Sequence, residues 1–162
     1  MEKMESHTLK KIEMRAIGFV SRISPHENDR DRNLMAKVVL DEALSPALDG
    51  IEEWSHIYVI FWIDRMGHRE EPVLHHPNGL GIFAARSPNH PNPIGLTLVE
   101  LVKRDENVLG VRGLDAYDET PVLDIKPYPD WEKDLIVVTD FKVPEWLRGI
   151  IKKDGETHTG FN

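Results

Sequence analysis

The apolar residues of this chain fall into short runs separated by glycine, proline and strongly polar stretches, a pattern that predicts mostly strands. Residues 15–23 predict a first strand, followed by a highly polar loop over 24–33 and a second strand over 34–40. Residues 41–53 are broken by Pro46 and Gly50 and allow at most a short helical turn. The run 56–63 is β-branched and aromatic and is the best strand in the chain. A long loop over 64–80 leads to a short strand over 81–85. Residues 96–103 and 108–114 pair as a hairpin across 104–107, and 121–126 and 135–138 complete the strands. Residues 144–153 predict one short helix, with Pro144 suited to its first turn. Many short strands joined by Gly/Pro-rich turns imply an all-β domain, and the pattern alone leaves barrel and sandwich both open.

Composition narrows the class rather than the fold. The 162 residues suit one ordinary domain, and 40% hydrophobic with 30% charged residues is normal for a soluble globule. The absence of cysteine removes disulfides, thiolate metal sites and cysteine nucleophiles. The longest apolar run, 57–63, is far too short to cross a bilayer as a helix, and no signal peptide opens the chain. These features imply a soluble, cytoplasmic protein with no membrane partner. A net charge of −8 argues against indiscriminate nucleic-acid binding, which needs a broad basic surface, while leaving room for a local basic patch.

The most unusual segment is residues 83–97, Phe-Ala-Ala-Arg-Ser-Pro-Asn-His-Pro-Asn-Pro-Ile-Gly-Leu-Thr. Pro88, Pro91 and Pro93 each fix their own φ and push the preceding residue out of the helical region. The segment is either a rigid connection between strands or a pre-ordered binding loop, since conformational freedom lost before a ligand arrives is not lost again on binding. Arg86 is the only charged residue between Gly81 and Val99, which calls for an anionic partner. A second odd segment, Thr120-Pro-Val-Leu-Asp-Ile-Lys-Pro-Tyr128, weighs toward binding.

Other chemistries are excluded by local pattern. Gly79-Leu-Gly81-Ile-Phe-Ala84 matches a dinucleotide fingerprint in form, yet the prolines that follow forbid the helix the fingerprint requires. The eight histidines show no helical metal-ligand spacing, so no metal is expected, and His56 reads as a half-buried structural residue. Ser87 has no nearby histidine to activate it.

Together, Arg86-Ser-Pro-Asn-His-Pro-Asn-Pro-Ile-Gly-Leu-Thr97 and the 120–128 segment resemble the TrmO family, also called TsaA-like or YaeB-like proteins. Ala16-Ile-Gly-Phe-Val20 and Ser55-His-Ile-Tyr-Val-Ile-Phe-Trp-Ile-Asp64 support the resemblance, which covers roughly residues 15–130. It implies a single-sheet closed β-barrel working as a homodimer. It also implies an S-adenosyl-L-methionine-dependent methyltransferase acting on N6 of threonylcarbamoyl-adenosine at position 37 of tRNA, in the anticodon loop. The implied domain plan is a flexible end over 1–14, a methyltransferase barrel over 15–140 and a short tail with one helical turn or helix over 141–162.

By the same resemblance the cofactor lies near Asp64, Arg65, Arg86, Leu96 and the turn Leu114-Asp115-Ala116-Tyr117, with the 24–33 loop contributing. Asp64 or Asp115 suits a ribose diol or ammonium, and Arg86 a carboxylate. Asp124, Lys126 and Tyr128 are the candidates for orienting the target base or relaying its proton. Two residues apart on a strand, Asp124 and Lys126 share a face, so a plain surface ion pair is the competing reading. His90 stands where relatives carry arginine, Glu119 where a glycine is usual, and the bacterial enzymes carry an additional C-terminal region. Basic residues expected to hold the anticodon stem are Arg65, Arg69, Lys103, Arg104, Arg112 and Lys126, with Lys142, Arg148, Lys152 and Lys153 near the end. Two alternatives are a module that binds cofactor or RNA without turnover, and a methyltransferase with another acceptor.

Overall fold

The computed structural model describes residues 9–22, 32–66, 73–77, 79–128 and 144. Six strands follow in chain order: β1 (Gly18–Arg22), β2 (Met35–Leu40), β3 (His56–Trp62), β4 (Ile94–Asp105), β5 (Val108–Arg112) and β6 (Pro121–Pro127). They close a fully antiparallel barrel in the spatial order β1-β2-β5-β4-β3-β6, with β6 returning to β1. The seam between β1 and β6 is what decides barrel over sandwich. It is short, pairing Gly18 with Val122 and Phe19 with Pro121, and is extended by Val20 N–H donating to the Thr120 carbonyl at 2.9 Å. A Cβ on Gly18 would sit 2.2 Å from the Val39 carbonyl oxygen, so only glycine lets β1 lie this close to β2.

Alternate residues fill the interior. Val20, Val38, Ile57, Val59, Val99, Leu109, Val111 and Val122 are essentially fully buried and form one cluster. Their β-branched weight is what the strand pattern required. The chain divides after Tyr128 into two compact units, Met1–Tyr128 and Pro129–Asn162, and the barrel lies within the first. The expected strand over 135–138 lies outside the described residues, as does the helix over 144–153 beyond Pro144 itself.

Three expectations are corrected. Residues 81–85 do not form a strand: Gly81 makes a single bridge to His75, and Ile82–Ala84 is a 3-10 turn. The sequence there is apolar enough for a strand, but β3 and β4 already pair with two neighbours each, and no edge remains for it. The hairpin is tighter than predicted, with Asp105 still paired to Val108 and only Glu106 and Asn107 in the turn, Glu106 at a φ of 53°. Strand β5 stops at Arg112 because Gly113, at a φ of 101°, turns the chain away.

Antiparallel order sorts the connections to two ends. One end carries the Glu106–Asn107 turn and the 3-10 turns Glu42–Leu48 and Ile51–Glu53. The opposite end gathers the last residues of β1, β3 and β5 and the first of β4 and β6, together with the Pro-Asn segment and the 113–120 loop.

Candidate functional site

At that second end a cavity of about 350 Å³ opens, at the small end of the range for ligand sites. Its floor is apolar, with Phe61, Ile63 and Ala116 among its lining, and its rim carries two carboxylates, Asp64 and Asp115, and two guanidinium groups, Arg65 and Arg86. The short 3-10 turn Asp64–Met66 follows β3 directly, so Asp64 and Arg65 are delivered by the rigid strand.

The Pro-Asn segment is fixed by its own polar groups as well as by its prolines. Arg86 donates to the Leu96 carbonyl, Asn89 N–H donates to Ser87 Oγ at 3.2 Å, and Ile94 N–H donates to the Asn92 carbonyl at 2.7 Å. His90 Nε2 lies 2.8 Å from the Ala85 carbonyl, an oxygen that can only accept, so this nitrogen carries the hydrogen. The anionic partner expected for Arg86 is, within the chain, a backbone carbonyl. This bond ties the segment to the start of β4 while the side chain still lines the cavity.

The facing wall is residues 114–117. Arg22 closes β1 from inside the barrel at 8% exposure. Its Nη2 donates to the carbonyls of Leu114 at 2.6 Å and Ala116 at 2.7 Å, and its Nε to Ala116 at 3.1 Å. Thr97 Oγ1 donates to Asp115 Oδ1 at 2.5 Å, which aims that carboxylate from β4. Arg65 lies over the Tyr117 ring at 4.6 Å and donates to the Asp118 carbonyl at 2.8 Å, joining the wall to the end of β3. Arg32 adds a bond to the Gly113 carbonyl at 3.0 Å; of the 24–33 loop, only Arg32 and Asn33 are among the described residues.

Of the predicted cofactor residues, Asp64, Arg65, Arg86, Leu96, Asp115, Ala116 and Tyr117 line this one cavity. Leu114 lies beneath it, fully buried in the core. Arg22, Thr97 and Phe61 were not predicted. Thr97 closes the Pro-Asn motif and was visible as sequence, whereas Arg22 gives no signal, because its partners lie more than ninety residues away.

Asp124, Lys126 and Tyr128 are not brought into the cavity. A bulge at Leu123 shifts the β3–β6 register, so Phe61 faces Val122 while Ile60 faces Asp124. The shift turns Asp124 and Lys126 to the outer face with Ile60 and Tyr58. There Lys126 Nζ pairs with Asp124 Oδ2 at 2.8 Å, both about half exposed, and Tyr128 meets Tyr58 edge-on at 5.6 Å. The pair is the surface ion pair of the competing reading.

The expected basic cradle also changes. Arg104 is eight residues along β4 from Leu96, about 25 Å at strand rise, and therefore at the opposite end. Its guanidinium is bound by Asp49, Glu52 and the carbonyls of Ser45, Leu48 and Glu106. Lys103 shares that end, and Arg112 pairs with Glu100 at 2.8 Å. Arg69, Lys142, Arg148, Lys152 and Lys153 lie outside the described residues. His56 is exposed and bonded to Ser55 Oγ at 2.9 Å rather than half-buried. Among the described residues no three His, Asp or Glu side chains converge as a metal site.

Comparison with known proteins fits this picture. An S-adenosyl-L-methionine-binding protein of Archaeoglobus fulgidus is 36% identical over 124 residues, covering 71% of this chain and 88% of that protein. A tRNA (adenine(37)-N6)-methyltransferase of Mus musculus is 44% identical over 87 residues, 51% of this chain and 20% of the mouse protein. The crystal structure of TrmO from P. aeruginosa superposes with a TM-score of 0.67 at 26% identity, covering 86% of this chain and 63% of that one. The chain spans only 34% of a second, 38% identical A. fulgidus relative, a probable S-adenosyl-L-methionine-binding protein. The sequence profile of the tRNA-methyltransferase O N-terminal domain matches residues 20–132, and the chain belongs to that family.

Proposed function

We propose that this protein is an S-adenosyl-L-methionine-dependent tRNA methyltransferase acting on N6 of threonylcarbamoyl-adenosine at position 37. The observation that carries the reading is the cavity's paired charge: two carboxylates and two guanidinium groups around an apolar floor. A ligand with an ammonium, a carboxylate, a ribose diol and a flat base matches that donor set. In this assignment Arg86 meets the carboxylate, Asp64 and Asp115 take the ammonium and the diol, and Phe61, Ile63 and Ala116 cover apolar surface. When bound, the cofactor supplies a sulfonium-activated methyl group, whose in-line transfer depends on alignment more than on a strong base. The chain contributes that alignment: the prolines and the Arg86–Leu96 bond hold one wall, and Arg22 and Thr97 hold the other.

The protein works as a homodimer in the cytoplasm. Support for a dimer comes from the outer face of β4, where Leu98 is 37% exposed beside Ile94 and Leu96, at 42% and 45%, which also line the cavity. A role in proton transfer for Asp124, Lys126 or Tyr128 requires a second subunit, because in their own subunit they stand outside the cavity. A second reading, binding without turnover, is favoured by that same placement.

Methyl transfer from labelled cofactor to tRNA with and without the threonylcarbamoyl group tests the proposal. Incorporation only into modified tRNA, with N6-methylation seen by nucleoside mass spectrometry, is the expected result. Equal incorporation into both refutes the acceptor, and cofactor binding without incorporation establishes the second reading. Arg86→Ala should weaken cofactor binding by about 1.5–3 kcal/mol in calorimetry, the scale of a hydrogen bond to a charged group.

A further inference from the structure

Phe83 is one of the most exposed large hydrophobic side chains among the described residues, at 79%, and the cavity does not use it. Its position is nevertheless fixed. On one side of it Ile82 is 3% exposed and its N–H donates to the Leu74 carbonyl at 2.9 Å, anchoring the turn. On the other side Ala85 N–H donates to the Ile82 carbonyl at 3.3 Å and closes the turn, so the ring is pushed outward. The ring is also held edge-on by His90, 5.6 Å between centroids at 82°. His90 is itself pinned to the Ala85 carbonyl and lines the cavity together with Arg86, three residues from Phe83. An edge contact restrains an aromatic ring while leaving a flat face open.

An exposed aromatic ring, rigidly mounted beside a rim that carries two guanidinium groups, fits a partner that is flat and anionic. Nucleic acid has both properties: every base has a π-face and every nucleotide a phosphate. A base whose exocyclic nitrogen is to be methylated must leave its stack, and its neighbour then loses a stacking partner. Single-stranded loops are recognised by replacing that partner with an aromatic side chain.

We propose that Phe83 is the stacking platform for a loop base next to the base being methylated, with His90 as the positioning residue that holds the ring. The inference rests on the tRNA reading above and names a contact that reading does not include. It makes His90 the edge partner of Phe83.

The test uses the full chain, modified tRNA as ligand, and an anticodon stem-loop carrying 2-aminopurine beside position 37. Phe83→Ala should weaken RNA binding about 5- to 150-fold, the range of one lost base–aromatic stack. Cofactor affinity, thermal midpoint and the salt slope of RNA binding should stay at wild-type values, because no phosphate contact is removed. Phe83→Trp should bind as wild type, Phe83→Leu as the alanine variant, and only the aromatic variants should quench 2-aminopurine. Unchanged RNA affinity and quenching in Phe83→Ala would overturn the platform while leaving the tRNA reading intact. Dissociation of the dimer by Phe83→Ala, with RNA affinity per subunit preserved, would assign the ring to a subunit interface instead. Wild-type protein that binds cofactor but no RNA would overturn both.

Discussion

Gly95→Ala adds a single methyl group at the point where two strands and the cavity meet. Gly95 faces Phe61 across the β3–β4 ladder, and both line the cavity. An added Cβ would fall 2.2 Å from Phe61 Cε2 and Cζ and 2.7 Å from Cδ2. Carbon atoms pack at about 3.5–4.0 Å, so the ring must withdraw by more than about 1 Å. At 6% exposure it has little room to do so within the core. Overpacking of this kind costs about 1–3 kcal/mol, and the displaced ring changes the cavity floor as well. Urea denaturation should show a lowered midpoint with an unchanged slope, and calorimetry a weaker cofactor interaction. Phe61→Leu supplies the control, because a smaller side chain removes the obstacle. In a double-mutant cycle the pair should couple by about 1 kcal/mol or more, the double variant being less destabilised than the sum of the singles. Additive effects, or a Gly95→Ala protein as stable as wild type, would refute the claim that the ring occupies the space of a side chain at position 95.

Three further outcomes follow from separate features. Glu119 holds a φ of 64°, which costs an L-residue about 1–2 kcal/mol, and glycine returns part of this as chain entropy. Glu119→Gly should therefore raise the thermal midpoint by about 1–4 °C in calorimetric scans, and a fall would show the conformation to be unstrained. Arg22→Met keeps the apolar stem but leaves the Leu114 and Ala116 carbonyls without its donors; the loss should be about 2–5 kcal/mol by denaturant titration, with cofactor affinity falling in parallel. Arg104→Ala should lower stability by about 1–3 kcal/mol, chiefly because the Leu48 and Ser45 carbonyls lose their donors, while tRNA affinity and its salt slope stay unchanged, whereas a flattened slope would return this arginine to the RNA surface.

What the sequence made legible is what depends on near neighbours. Three prolines in six positions restrict the backbone wherever the segment lies, so the rigid loop was readable before the barrel was. The β-branched and aromatic run 56–63 and the run 34–40 likewise read as strands from composition alone, and β3 and β2 lie there. Arg22 was not legible: arginine at the end of a strand reads as solvent-facing, and only closure of the barrel brings the 114–117 carbonyls to it. Residues 81–85 failed for the converse reason. Their propensity suits a strand, but pairing is a property of edges, and closure leaves none.

The segment 120–128 shows how both kinds of information combine at one position. Period two correctly gives Asp124 and Lys126 a shared face, and they pair there at 2.8 Å. Which face they share is decided by one additional residue, Leu123, and a single-residue shift reverses inside and outside for everything after it. Without the bulge the two charges would point into a core of Val59 and Ile57, where burial without full hydrogen bonding is costly. With it, Ile125 takes the inward place opposite Val59, and the charges stay half-exposed. The bulge thus reconciles this charged motif with a closed apolar barrel, and it leaves the cavity to the loops gathered at the end of β3.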